Sequence, residues 1–348
     1  MEKIKKMVTI IYIIISFVII FSVDENKIYS ETLNKRQNHV RAAVLLYRFD
    51  DTYISLVRQS LEQIQKNNQG KIEFTFYDGK NDQRIQNETI DAIMENKSAD
   101  LLLLNIVDVK KSYEVINKIK DFNIPVVLFN REPLNIDSVQ SYAKACFVGT
   151  NASEAGILQG NIIINEWNKN KAVMDIDGDN ILEYIMLIGE NNNKEAIART
   201  QYSISTINDA EIQTRELAST VCEWDKQLAK DKFEQLYLYY GNKIEAIISN
   251  NDEMAIGAIE ALQKYGYNLG DPSKTITVVG VDAIPAAQEL IKKGEMTGSV
   301  LQDAPAMAEA CYSIGINLVS GRPPLEGTLY KFDDTGVSVR IPYKEFMP

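Results

Sequence analysis

Histidine is nearly absent from this 348-residue chain, which has one, His39, and only three cysteines, Cys146, Cys222 and Cys311, widely spaced. That scarcity excludes a Ser-His-Asp hydrolase site and a histidine-ligated zinc centre. Three scattered thiols also build neither a disulfide framework nor a metal motif. Concentrated basic charge is missing too. With 37 Lys and Arg against 48 Asp and Glu the net charge is -11, and phosphate binding needs a basic face, so no nucleic-acid partner is expected. Repeats of solenoid period and low-complexity tracts are absent.

What is present is a globular composition, 45% hydrophobic and 24% charged, on a chain long enough for about two domains. Residues 1–40 stand apart. Met1-Glu2-Lys3-Ile4-Lys5-Lys6 is basic, Val8 to Val23 is an uncharged apolar run, and a polar tether follows to His39. This is a signal peptide or a membrane anchor plus tether, and the run is too short for length to decide between them. Either way the remainder is expected outside the cytoplasm, periplasmic or at the cell surface.

From Arg41 onward, short apolar runs alternate with amphipathic segments, the pattern of βαβ units and parallel sheets. Strands are predicted over Ala42–Tyr47, Ile72–Tyr77, Leu101–Asn105 and Pro125–Phe129, with helices over Thr52–Lys66, Asp82–Lys97 and Lys110–Asp121 between them. Asn130-Arg131-Glu132-Pro133 interrupts this series, since proline restricts its neighbour. A second series is expected from Cys146–Val148 through Tyr184–Leu187, the helix Lys194–Asn208, Ala246–Ser249 and Ile276–Val281. Polar residues recur at the carboxyl ends of these strands, where open parallel sheets bind ligands: Asp51, Asn105, Asn130, Asn251, Asp252 and Asp282. Helix capping accounts for such residues equally well one at a time, though not for their number.

The run from Asp175 to Glu183 places carboxylates at loop positions one, three, five and nine, Asp175, Asp177, Asp179 and Glu183, with the Ile181 carbonyl at position seven. That spacing suits calcium, a hard cation taking six to eight oxygens, as a structural ion. Asn180 stands where the sharp turn usually needs glycine, and asparagine tolerates positive φ. A buried strand follows with no glutamate at position twelve, so a bidentate carboxylate must come from elsewhere.

Several segments in order, Tyr47-Arg48-Phe49-Asp50-Asp51, Leu104-Asn105-Ile106-Val107-Asp108, Val127 to Pro133, the acidic loop, Ala198-Arg199-Thr200, Asn250 to Ala255 and Gly280-Val281-Asp282-Ala283, resemble the periplasmic glucose/galactose-binding proteins, sugar receptors of ABC transport and chemotaxis. The resemblance implies an α/β, type I periplasmic-binding-protein fold, with two doubly wound parallel-sheet lobes joined by a three-crossing hinge. Residues 41–130 and 303–338 would form the N-terminal lobe, and 131–302 and 339–348 the C-terminal lobe with the calcium loop. It supplies Glu245 as the distant calcium ligand. It also implies that Asp51, Asn105, Arg199, Asn251 and Asp282 hydrogen-bond sugar hydroxyls while Trp224 and Tyr53 cover the two sugar faces. Four positions depart from the family pattern: Asn193 replaces a histidine, Glu195 an aspartate, Gln302 an asparagine and Tyr53 a phenylalanine. The longer Glu195 and Gln302 leave open which hexose fits. Asp177 and Glu183 add charge to the calcium loop where the family resemblance has amides.

The expectation is therefore a monomeric, non-enzymatic receptor for a hexose, galactose or glucose first, delivering it to an ABC permease. An anchored sugar sensor signalling to a kinase or chemoreceptor is the alternative. A sugar-responsive repressor core is disfavoured by the apolar leader and acidic charge, and a glycosidase using Asp51, Glu195 and Asp282 by the resemblance itself.

Overall fold

Runs such as Leu101–Leu104 and Val126–Phe129 are apolar at every position and buried at every position, as strands covered by helices on both faces must be. They lie in a six-stranded sheet of order β11-β5-β4-β3-β1-β2. Its strands are β1 (Val40–Leu46), β2 (Ile72–Asp78), β3 (Leu101–Leu104), β4 (Val126–Phe129), β5 (Ala145–Thr150) and β11 (Ser338–Ile341), and every pairing is parallel. Side chains of β1 alternate between its faces. Ala42, Val44 and Leu46 join a core with α1 (Thr52–Asn67) and α10 (Ala304–Val319), while Ala43 and Leu45 pack towards α2 (Gln83–Glu95) and α3 (Ser112–Asp121). Each fully buried leucine, valine or phenylalanine here contributes about 1.5–3 kcal/mol.

The second sheet, also six-stranded, runs β12-β10-β9-β8-β6-β7. It contains β6 (Ile181–Ile188), β7 (Gln213–Val221), β8 (Ala246–Ser249), β9 (Thr277–Asp282), β10 (Gly298–Leu301) and the antiparallel β12 (Lys344–Phe346). One face is covered by α7 (Lys226–Tyr240), α8 (Asp252–Gln263) and α9 (Pro285–Lys292), the other by α5 (Ala152–Met174) and α6 (Lys194–Asp209). A single helical turn, α4 (Asp137–Gln140), precedes β5.

The structure is a computed structural model that describes Met1 and residues 39–348. But for its two ends, the signal or anchor expected in residues 1–40 therefore lies outside the described residues. Among the described residues no helix is long and apolar enough to cross a membrane.

Two boundaries differ from the sequence expectation. Cys146–Val148 does not begin the second sheet: β5 pairs with β4 in the first, Cys146 opposite Val127. Residues 339–341 likewise belong to the first sheet, since β11 pairs with β5. The chain thus passes between sheets after Thr150, at Gln302–Asp303 and at Pro342–Tyr343. β4 ends at Phe129 without ending the sheet, because residues 130–144, with the turn α4, carry the chain back to pair β5 alongside β4.

Candidate functional site

Carboxyl ends of strands from both sheets converge on one cavity of about 410 Å³ free of protein atoms, mouth included. Its wall contains nine of the ten residues expected to meet a sugar, Asp51, Tyr53, Asn193, Glu195, Arg199, Trp224, Asn251, Asp282 and Gln302, together with Tyr47, Asn130 and Arg131. Asn105 does not line it. That side chain is wholly buried one layer behind, where its Oδ1 accepts from Tyr47 N at 3.1 Å and its Nδ2 donates to Phe129 O at 3.1 Å and Asn130 Oδ1 at 3.2 Å. Asn105 therefore orients Asn130, and Asn130 occupies the wall.

Capping and lining are not alternatives here. Asp51 Oδ1 caps α1 by accepting from Ile54 N at 2.8 Å, and its Oδ2 accepts from the Tyr47 hydroxyl. Asn193 caps α6 through Ala196 N at 3.1 Å and Asn251 caps α8 through Met254 N at 3.0 Å. The cap fixes each side chain with one oxygen and leaves the other polar atom of each asparagine for the cavity.

Arg199 is the centre of the second-sheet side. It is 3% exposed; its Nη1 donates to Asn250 O at 2.7 Å and its Nη2 to Gln302 Oε1 and the Tyr343 hydroxyl, both at 2.8 Å. Its Nε has no protein partner, nor do the buried Trp224 Nε1, Gln302 Nε2 and Glu195 Oε2. Three donors and one acceptor are thus presented by residues of a single wall. A buried polar atom left unpaired costs about 1–3 kcal/mol, and hydroxyl groups, which donate and accept, are the partners that satisfy such a mixed set. Burial pushes the Glu195 carboxyl up against the opposing pull of Arg199, and pushes Asp282 well above the usual carboxylate range. Trp224 sits at a φ of 59° beside Gly189, where a Cβ would come within 2.3 Å of the indole. Only glycine leaves that space.

Contacts also cross the cleft. Arg131 donates to Ile106 O and Val107 O and forms a two-bond pair with Glu190, at 3.0 and 2.9 Å. Thr52 Oγ1 donates to Glu253 Oε1 at 2.7 Å. Of the residues that sequence reasoning did not place in the wall, Asn130 carried a signal as a strand-end amide. Tyr47 and Arg131 lie within the segments that carry the resemblance, and Tyr343, which reaches Arg199 from behind the wall, carries no sequence signal.

Away from the cleft, the acidic loop joins α5 to β6. Oxygens of Asp175, Asp177 and Glu245 approach within 4.8 Å of one another, as do those of Asp177, Asp179 and Glu183. Asn180 has a φ of 61° and Gly178 of 75°, which lets the loop turn sharply. Glu245 reaches in from before β8 and accepts from Ile176 N at 2.6 Å and Glu183 N at 3.0 Å. Glu183 shares an oxygen with Arg215, which also pairs with Asp179 at 3.3 Å. Asp175 Oδ1 is buried without a protein partner. An all-oxygen, multiply anionic cluster with an orphaned carboxylate oxygen can hold a hard metal ion.

Comparison with known proteins agrees with this geometry. The family described as "Periplasmic binding protein domain" matches residues 42–323. The D-galactose/methyl-galactoside binding periplasmic protein MglB of Haemophilus influenzae is 38% identical over 304 residues, 87% of this chain and 88% of that protein. A putative rhizopine-binding protein of Rhizobium meliloti is 28% identical over 78% of this chain and 82% of its own length. Among solved structures, an ABC transporter solute binding protein from Bacillus halodurans with bound myo-inositol superposes with a TM-score of 0.72 at 24% identity, covering 89% of this chain and 95% of that one. The chain belongs to the periplasmic binding protein family, whose members named here are solute-binding proteins and not enzymes.

Proposed function

We propose that this protein binds a hexose, D-galactose or D-glucose first, in the cleft between its two sheets and delivers it to an ABC importer outside the cytoplasm. The observation that carries this reading is the set of buried, unpartnered polar atoms on Arg199, Trp224, Gln302 and Glu195, in a cavity also lined by Tyr53 and Trp224. Polyhydroxylated rings present apolar faces to aromatics and hydroxyls to the rim. The galactoside-binding protein that is 38% identical supports the choice of hexose. Asp51, Tyr53, Asn193, Glu195, Arg199, Trp224, Asn251, Asp282 and Gln302 contact the sugar, Asn130 joins them, and Asn105 acts from behind. Hinge motion at the three crossings closes the lobes.

The acidic loop binds calcium structurally, through Asp175, Asp177, Asp179, the Ile181 carbonyl, Glu183 and Glu245. Calcium supplies positive charge that holds these carboxylates together and plays no part in chemistry.

A thermal-shift and calorimetric screen of residues 39–348 with calcium, against glucose, galactose, xylose, arabinose, ribose and myo-inositol, tests the reading. One hexose is expected to raise the melting temperature; a response to a pentose or inositol alone would reject it. Gly189→Ala is expected to displace the Trp224 ring and weaken that hexose about three- to tenfold, the worth of an aromatic contact. Calorimetry checks the affinity, and tryptophan emission, from two tryptophans in all, checks that the ring moved.

A further inference from the structure

Part of the cleft wall rests on backbone that side chains rarely adopt. Asp282 has a φ of 112° and Ala283 of 49°, and such conformations persist only where the surroundings enforce them. Asp282 ends β9, Ala283 follows it, and the Asp282 side chain lines the cavity.

Two side chains that do not line the cavity hold this turn from behind. Ser299, on β10, accepts from Ala283 N at 3.1 Å through its Oγ. Asp252, in the first turn of α8, accepts from Ile284 N at 2.9 Å through Oδ2, and its Oδ1 accepts from the Ser299 hydroxyl at 2.6 Å. Both are wholly buried. Gly280 makes the arrangement feasible, since a Cβ there would lie 2.1 Å from Asp252 Oδ1. The backbone N–H groups following Asp282 are thus fixed by a paired acceptor set that spans β10 and α8, the elements beside β9.

We infer that Asp252 and Ser299 are positioning residues for sugar recognition, a clamp that holds the positive-φ turn and so aims the Asp282 carboxylate at the ligand. This rests on reading the cleft as the sugar site. A merely structural pair would contribute to stability without acting through Asp282, and the two roles separate in a double-mutant cycle.

The experiment uses the full chain, calcium-loaded, with the hexose that the wild type binds. Ser299→Ala leaves Ala283 N without its acceptor, which costs the positive-φ conformation about 1–3 kcal/mol; the turn is expected to relax and binding to weaken about tenfold because the Asp282 carboxylate is no longer aimed at the ligand. In an Asp282→Asn background the same change is expected to cost less than about twofold, because the carboxylate it positions is gone. Asp252→Asn keeps an acceptor for Ile284 N and should lose less, and it serves in the cycle where Ser299→Ala does not fold. Equal losses in both backgrounds would overturn the inference. A crystal structure of Ser299→Ala decides it independently of binding: Asp282 and Ala283 are expected to relax from positive φ, and an unmoved turn and carboxylate would overturn the clamp. If the wild type binds no hexose, the sugar reading fails while this structural comparison still judges the clamp.

Discussion

Arg199→Lys is expected to weaken hexose binding at least about a hundredfold, and Arg199→Ala to abolish it in calorimetry. Among the described residues the guanidinium is the only cation in the buried groups that line the second-sheet side of the cavity, and each of its nitrogens has a separate place. Nη1 is tied to Asn250 O, and Nη2 to Gln302 and Tyr343; Nε is left for the ligand. Lysine keeps the charge but is a point donor without the planar fork, so it can serve the anchors or the ligand and not both. Truncating one partner of a buried, charged hydrogen-bond set costs about 2–5 kcal/mol, or roughly thirtyfold to several thousandfold. Alanine also takes Arg199 from the buried Asp282 and leaves Glu195 only the Arg131 cation to oppose its burial, which would raise both carboxyls further and lower stability. Melting temperature must therefore be followed alongside affinity. A lysine variant within about threefold of wild type would show that the fork does not orient the sugar.

The sequence made this site legible where local chemistry and position coincide. Apolar runs predict β1, β3, β4, β8 and β9 within a residue or two, because strands covered on both faces must be apolar throughout, and the edge strand β2 reads as a strand through alternation, with Ile72 and Phe74 buried and Glu73 and Thr75 exposed. Strand-end polar residues mark the edge of the sheets on which the cavity lies. Asn180, a residue type that tolerates a left-handed turn, has a φ of 61°. Elsewhere the information is not local. Cys146–Val148 reads as a strand, but nothing within it says which sheet it joins; β5 is placed by its pairing with β4 and β11. Edge strand β7 is exposed or half-buried along its length and β12 has three residues, so neither has the apolar run that announces a strand. Asn105 and Asn130 are both strand-end amides, and the difference between them arises only when Asn105 bonds Tyr47, Phe129 and Asn130 itself. Tyr343 meets Arg199 across 144 positions of sequence at the third crossing, a contact no local pattern encodes.

Removing calcium is expected to lower the melting temperature by roughly 10 °C at pH 7.5 and by less at pH 5. Five carboxylates, Asp175, Asp177, Asp179, Glu183 and Glu245, meet in and beside one loop, with Arg215 as the cation paired to Asp179 and Glu183. A ligand at a thousand times its Kd stabilises by about 4 kcal/mol, and each kcal/mol moves the melt by about 2–4 °C for domains of 150–250 residues. The pH dependence follows from Glu245. Without metal, burial pushes its carboxyl from 4.5 up to about 7, against two backbone N–H groups that pull it down, and Glu183 adds to the rise. The folded, metal-free chain then holds a proton that the unfolded chain has released. Its stabilising contribution is full below about pH 4.5 and is lost as pH rises through about 7. Calcium reverses this, because its ligands must be deprotonated, so the bound form gains as pH rises. Both effects widen the gap between calcium-saturated and calcium-stripped protein from pH 5 to pH 7.5. Differential scanning calorimetry on the two forms measures it, and Glu245→Gln is expected to flatten the pH dependence of the stripped form and weaken the response to calcium. A stripped protein that melts with the saturated one at pH 7.5 would mean that the loop holds no calcium, and that Arg215 and the backbone N–H groups on Glu245 are what keep these carboxylates together.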